Sequence, residues 1–383
     1  MNGYRVVIIG GGPAGSCCAL ELIRLGIKDV LLVESGDYSE FRIGETIPPD
    51  VNLVLRELEL YDAFLTEGFD PCYGSCSYWG DDRRGYNDSL LSPHGHGWHL
   101  DRARFDAFLA RKAQQAGADL IVNSKFQSSE QLDSGRFRLT IEIQTDSSLI
   151  VAADTVVDAS GTRGVFAAQQ GSMKVSTEPL ICLAMRFKLS KESRGISKLT
   201  HLEAVEYGWW YAARINDENM IIAVYSDLQA IREEGLNHTE SWLMALQAVP
   251  NIGKLVEGLE LQDDRPKGFP APSYRLDSIT GRNWLAIGDA ATAYDPVTSH
   301  GIYKSMTDGK LAAKALLAST ENRSREFKEF EFQVANCYQQ YLEIRKQLYQ
   351  LEIRWPEDRF WKKYQQSSDC LASTQVAMRT SGT

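Results

Sequence analysis

YRVVIIGGGPAGSCCALELIRLGIKDVLLVE, residues 4–34, reads as a strand, a glycine-rich turn, a helix and a second strand. Residues 4–9 are a continuous, β-branched apolar run, the pattern of a strand buried on both faces. Residues 13–25 place apolar side chains at helical spacing and 29–34 is again a buried strand, so the unit is βαβ. Between strand and helix stands Gly10-Gly11-Gly12-Pro13-Ala14-Gly15, a G-x-G-x-x-G turn. Gly10 permits the tight reversal, Gly12 lets the backbone approach a pyrophosphate, and Gly15 lets helix and strand pack closely. The helix N-terminus, opened by Pro13 and Ala14, offers its dipole to the same anion. Glu34 ends the second strand, 19 residues past Gly15, where a carboxylate holds ribose hydroxyls. An acid there favours the unphosphorylated adenosine ribose of FAD or NAD over that of NADP. The competing reading is a Rossmann-like turn that holds no nucleotide.

Bulk properties narrow the function classes. A chain of 383 residues suffices for two or three structural units. A chain of that size buries roughly 75% of its unfolded surface, so neither disulfides nor a metal are needed for stability. The 51 acidic against 41 basic residues argue against a nucleic-acid binder, whose affinity rests on neutralising phosphates. Seven cysteines, odd in number and without a CxxC pair, read as reduced thiols, and a cytoplasmic location is expected. The chain enters a strand at once, so no signal peptide is expected. It has no uninterrupted apolar run of 18 residues, so no membrane span is expected either.

Further along, 51–65 and 102–117 read as amphipathic helices, RFRLTIEIQT (136–145) as a half-exposed antiparallel strand, and 154–161 as a buried strand. From about 178 to 226 the pattern is mostly β, followed by a helix near 239–248. NWLAIGDAA (283–291) resumes the style of the first unit, 301 to about 350 is largely helical, and 370–383 reads as frayed. The expected fold is α/β: a Rossmann-like nucleotide-binding domain (1–70, 98–177 and 268–320) interrupted by an antiparallel β-rich substrate domain (71–97 and 178–267). A helical C-terminal segment (321–383) completes it.

Two later stretches separate FAD from NAD. VVDASGTRG (156–164) carries Asp158 and Gly161, and AIGDAATAYDPVTSHGI (286–302) carries Gly288-Asp289, Asp295-Pro296 and Gly301. Their order resembles the para-hydroxybenzoate hydroxylase-like flavoprotein superfamily, which includes geranylgeranyl reductases and flavin-dependent tryptophan halogenases. The resemblance implies FAD, with Asp289 on the ribityl chain and the 299–302 turn (Ser299, Gly301, Ile302, beside Pro296) at the flavin pyrimidine ring. A helix N-terminus there suits the negative charge that reduced flavin carries. In WHLDRARFDAFL (98–109) the resemblance places Arg102 along the cofactor, and it adds Phe126; the plain alternative for Arg102 is an exposed helix arginine.

FRIGETIPP (41–49) resembles the Arg-x-Gly-Glu segment of tryptophan halogenases that lies against the flavin. It marks Arg42 and Gly44 as cofactor-side residues near the isoalloxazine, and Glu45 and Thr46 as active-site rim, Thr46 also touching cofactor. Pro48-Pro49-Asp50 would also start the next helix, with Asp50 as cap. Halogenation itself is disfavoured. There is no lysine between Lys28 and Lys112, and GWWYAARI (208–215) lacks the Trp-x-Trp-x-Ile-Pro signature. The tail YQLEIRWPEDRFWKK (349–363), with SYWG (77–80) and WHLDR, resembles maturation flavoproteins of cysteine tryptophylquinone-dependent lysine and glycine oxidases. An aromatic-rich helix that merely packs on the domain is the alternative.

The resemblance implies an FAD-dependent monooxygenase that uses O2 to hydroxylate an aromatic ring, most specifically a tryptophan in the precursor of a quinone-cofactor oxidase. The alternatives are a hydroxylase or reductase of a free small molecule, aromatic or isoprenoid, and a flavin-containing chaperone for such a precursor. Electrons come from NAD(P)H or a separate reductase. Glu45 and His300 are the candidates for moving protons, His300 competing with a helix-cap role. His94, His96 and His99 are close in sequence, but the glycines between them indicate a loop, and no metal is assigned.

Overall fold

The computed structural model describes residues 2–89, 91–143, 147–176, 179–189, 197–319 and 322–366; the 370–383 tail lies outside them. Strand Asn2–Ile9 runs parallel to Val30–Val33 on one side and to Ser147–Asp158 on the other. Asp119–Ile121 and Trp284–Ala286 extend the parallel set at its two ends. Val6–Ile9, Val30–Val33 and Val156–Val157 are buried at its centre, as parallel strands covered on both faces require. The chain leaves Asn2–Ile9 toward one neighbour and later returns on its other side. The reversal opens a crevice at the carboxyl ends of these strands, where open α/β sheets bind ligands. Helix Pro13–Arg24 packs there against helices Gly301–Leu316 and Arg102–Ala116. Phe137–Ile143 pairs antiparallel with Ser147–Asp158, as its alternation predicts.

A second sheet joins Ile181–Lys188, Asn219–Ser226, Gly208–Arg214, Thr200–Val205, Gly74–Tyr78 and Gly85–Asp88, with Lys267–Pro270 also on Ile181–Lys188. Strand alternation sorts its aromatic residues. Trp209, Tyr211 and Tyr225 face one cluster, which also takes Trp361 and Tyr364 from the C-terminal segment. Trp210 faces the other, against Trp242.

One helical expectation is corrected. The stretch 51–65 is two helices, Val51–Glu57 and Tyr61–Thr66, broken where Glu59 takes φ 58°. Asp50 does not cap the first of them, because its own backbone is already helical and its side chain bonds to no helix N–H. The Pro48 and Pro49 carbonyls accept the first amides instead, at 3.2 and 3.0 Å. The stretch from 301 to about 350 is largely helical, as expected, in Gly301–Leu316 and a long helix, Arg323–Gln350.

Candidate functional site

A cavity of about 810 Å³ occupies the crevice and runs from the glycine turn to the second sheet. Of the residues singled out by sequence, Gly10, Gly12, Pro13, Ala14, Glu34, Arg42, Gly44, Glu45, Thr46, Arg102, Phe126, Gly161, Asp289, Pro296, Ser299, Gly301 and Ile302 line it. Gly15 and Gly288 lie beneath the wall and shape it. A Cβ on Gly15 would stand 1.9 Å from the Gly10 carbonyl oxygen, and one on Gly288 2.7 Å from the Ala14 Cβ.

Glu34 ties the near end together. Its carboxylate accepts the Gly11 N–H at 2.7 Å, the Gly36 N–H at 3.0 Å and the Arg42 guanidinium at 3.1 Å. Arg42 also donates to Asp106 at 3.0 Å, so its guanidinium sits beside Glu34, on the glycine-turn side of the cavity. The pull is electrostatic, from two buried carboxylates, Glu34 and Asp106. Asp106 was not singled out; its spacing of four from Arg102 on one helix was the available signal, since that pair does form. Arg102 further donates to the Ile43 carbonyl at 2.7 Å. Gly44 makes this crossing possible: it has φ 98°, and a Cβ there would stand 2.5 Å from the Arg102 guanidinium.

The 41–49 segment therefore spans the cavity, with Arg42 at one end and Glu45 at the other. Glu45 is buried and accepts the Gly44 N–H at 3.1 Å. Burial pushes its pKa up to about 7, against the pull of local backbone N–H groups and Arg102. Thr46 pairs with His99 in a short antiparallel ladder. Its hydroxyl meets Tyr211 at 2.8 Å, Thr200 at 2.9 Å and His99 Nδ1 at 3.3 Å. Burial holds His99 down to about 4, so the ring is neutral at ordinary pH. Tyr211 and Tyr225 complete this end; burial raises both, and the Glu45 charge adds to the effect. Sequence reasoning missed them, together with Phe269–Pro272. Their one signal was the alternation that puts Trp209 and Tyr211 on one face.

His300 is not at the reacting face. Ser299 takes a left-handed turn, φ 53°, and Gly301 begins the helix, so 299 and 301 face the cavity while His300 is exposed. Its Nδ1 meets the Thr298 carbonyl. It occupies the cap position, but its side chain makes no capping bond.

A mixed α/β flavoprotein with a nucleotide crevice opening onto an aromatic-walled second sheet is the class this geometry defines. The family model described as tryptophan halogenase matches residues 5–90 and 80–382, and the chain belongs to that family. It is an FAD-dependent oxidoreductase. The putative FAD-dependent oxidoreductase LodB of Marinomonas mediterranea is 31% identical over 364 residues, covering 95% of this chain and 97% of that protein. The flavin-dependent halogenase CmlS superposes with a TM-score of 0.84 at 23% identity, over 95% of this chain and 68% of that one. QhpG, a peptidyl tryptophan dihydroxylase essential for tryptophylquinone cofactor biogenesis, gives 0.75 at 21% identity, over 94% and 78%. These two likenesses establish the fold.

The residues present fit FAD. Gly12, Gly161 and Gly301 line the cavity, and a Cβ on any of them would meet nothing within 4 Å, so bare backbone faces open space where a dinucleotide would lie. The Asp289 carboxylate accepts no hydrogen bond among the described residues, and burial raises its pKa despite Lys304 and Arg102. It is an acceptor in want of hydroxyl donors, which a ribityl chain supplies.

Proposed function

We propose that this protein inserts oxygen into an aromatic ring, and that the ring is a tryptophan of a partner polypeptide that becomes cysteine tryptophylquinone. The observation that carries the reading is Glu45, a carboxyl group at the aromatic end of the cavity whose burial pushes its pKa up to about 7. When bound and reduced, FAD supplies the electrons that activate O2. The chain must then hold an indole, keep water away and deliver a proton to the oxygen left behind. Glu45 suits the last task because a group titrating near pH 7 both gives and recovers a proton there. The Thr46–Tyr211 contact positions the Tyr211 hydroxyl beside it, and the Tyr225 ring offers an apolar wall for an indole.

The tryptophan substrate is favoured by the tail and SYWG resemblance and by the shared fold of the peptidyl tryptophan dihydroxylase. Halogenation is the second reading, favoured by family membership and the CmlS fold. Against it, Lys125 is the single lysine among the described residues lining the cavity, and it belongs to strand Lys125–Gln131 beside Phe126. Co-expression with a tryptophan-containing quinoprotein precursor, followed by mass spectrometry, tests both. Added oxygen on a tryptophan that depends on this protein supports the proposal. Bromine on the indole when bromide is supplied, or an unchanged precursor, refutes it.

A further inference from the structure

The aromatic motifs that the function leaves unused, Trp79 of SYWG, Trp209 of GWWY, and Trp355 and Trp361 of the tail, come together in space. Tyr225 lines the cavity, and Trp209 stacks on it with ring centroids 4.0 Å apart and planes 11° apart. Trp79 lies 6.3 Å from Trp209, Trp361 lies 5.4 Å from Trp79, and Trp355 stacks 6.1 Å from Trp361. Trp209 and Trp361 are fully buried, whereas Trp79 and Trp355 are half-buried.

We propose that these four indoles form an electron-hole route from the flavin cavity to the surface at Trp355, which drains one-electron oxidants when activated oxygen finds no substrate. Packing alone would be served by phenylalanine or leucine, whereas every member of this series belongs to the most easily oxidised side-chain types. The indole N–H groups along the route are held: Trp209 donates to the Tyr349 hydroxyl at 3.3 Å, Trp79 to the Leu348 carbonyl at 2.8 Å and Trp361 to the Val205 carbonyl at 2.9 Å. A hole arriving on them cannot settle by losing a proton to water and so moves on. Trp355, at the half-exposed end, can lose its N–H proton to solvent. Arg354, 4.4 Å over the Trp355 ring, is offset by its ion pairs with Glu352 and Asp82.

The step balances as follows. A peroxide ROOH in the cavity takes two electrons, one at a time, from Trp209, coupled through the stacked Tyr225 ring, and two protons, one each time from the Glu45 carboxyl group; its O–O bond breaks and it leaves as ROH and water, each electron sending one hole outward. The hole passes through Trp79 and Trp361 to Trp355, which releases its indole proton to water. The neutral Trp355 radical then takes a hydrogen atom from a small thiol, and two thiyl radicals couple to a disulfide. Glu45 regains its proton from water.

The proposal rests on the flavin ring lying at the Tyr225 end, and on no particular substrate. Its test uses the FAD-loaded full chain under blue light, which turns the oxidised flavin itself into a one-electron oxidant in the same cavity. Flavin absorbance reports cofactor binding separately. The native protein is expected to show a neutral tryptophanyl radical by electron paramagnetic resonance, quenched by added thiol. Trp355→Phe, at a half-exposed position, should lose the thiol-quenchable radical while keeping FAD, and Trp355→Tyr should restore one of tyrosyl type. A thiol-quenchable tryptophanyl radical that persists unchanged in Trp355→Phe overturns the route. So does its absence from the FAD-loaded native protein. An unmodified precursor in the co-expression experiment refutes the substrate reading and leaves this result standing.

Discussion

Replacing Glu45 by Gln should change how stability depends on pH, by an amount set by burial. In the unfolded chain the Glu45 carboxyl group titrates near 4.5; in the fold it titrates at about 7. Between those values the folded state keeps a proton that the unfolded state has lost, so stability falls as pH rises from 4.5 to about 7 and is level above. At about 1.4 kcal/mol per pH unit, the loss across that window is about 3 kcal/mol. His99 acts in the opposite direction. Folded it titrates at about 4 and unfolded near 6.5, so stability rises with pH over that interval and is level above. The two contributions nearly cancel between pH 4.5 and 6.5. Glu45→Gln removes one slope and exposes the other. The stability of the variant relative to the native protein should therefore climb by about 3 kcal/mol from pH 4.5 to 7 and then stay constant. Urea unfolding of both proteins at a series of pH values measures this difference, in which all other titrating groups cancel. A difference independent of pH would mean that Glu45 is ionised in the fold, and the proton-delivery role would go with it. In turnover, the same variant should lose whichever limb of the rate profile has its midpoint near pH 7.

Other perturbations separate cradle from scaffold. Gly12→Val should weaken FAD binding with little change in unfolding, since its φ of −75° suits any residue and the new side chain enters only open cavity. Gly15→Ala should destabilise the fold by about 3 kcal/mol, because its Cβ collides with the Gly10 backbone; thermal unfolding of the cofactor-free protein reads both stabilities, and flavin titration reads the Gly12→Val affinity. Asp295 receives Arg345 at 3.1 Å, the Tyr349 hydroxyl at 2.8 Å and the Val297 N–H at 3.0 Å. Asp295→Ala should therefore cost roughly 1.5–3 kcal/mol by removing the buried carboxylate that Arg345 and the Tyr349 hydroxyl both donate to, as urea unfolding will show. His300→Ala should shift stability by less than about 0.5 kcal/mol and leave flavin affinity, followed by fluorescence titration, unchanged.

The first βαβ unit, the placement of Glu34 and the later Gly288-Asp289 turn were legible in the sequence because their geometry is local. A buried parallel strand announces itself as an apolar run, and a backbone that must approach a ligand requires glycine within a few residues of the strand end. Gly12 and Gly15 illustrate how far such reading goes: the pattern identified both, while coordinates divided them into one that faces the cavity and one that packs beneath it. Family resemblance likewise drew attention to FRIGETIPP. Its division of labour came only from tertiary structure, because charge and burial there are supplied by distant parts of the chain. Arg42 turns toward Glu34 because Asp106 stands on a helix behind it. Burial at the second sheet, where Tyr211 and Tyr225 line the same end of the cavity, pushes the Glu45 pKa up to about 7. His300, chosen by sequence proximity to the flavin turn, fails for the complementary reason: one left-handed residue, Ser299, rotates it into solvent. What the sequence by itself determined is where the backbone bends and what it can bind. Which side chains acquire unusual chemistry depended on what the fold packed around them.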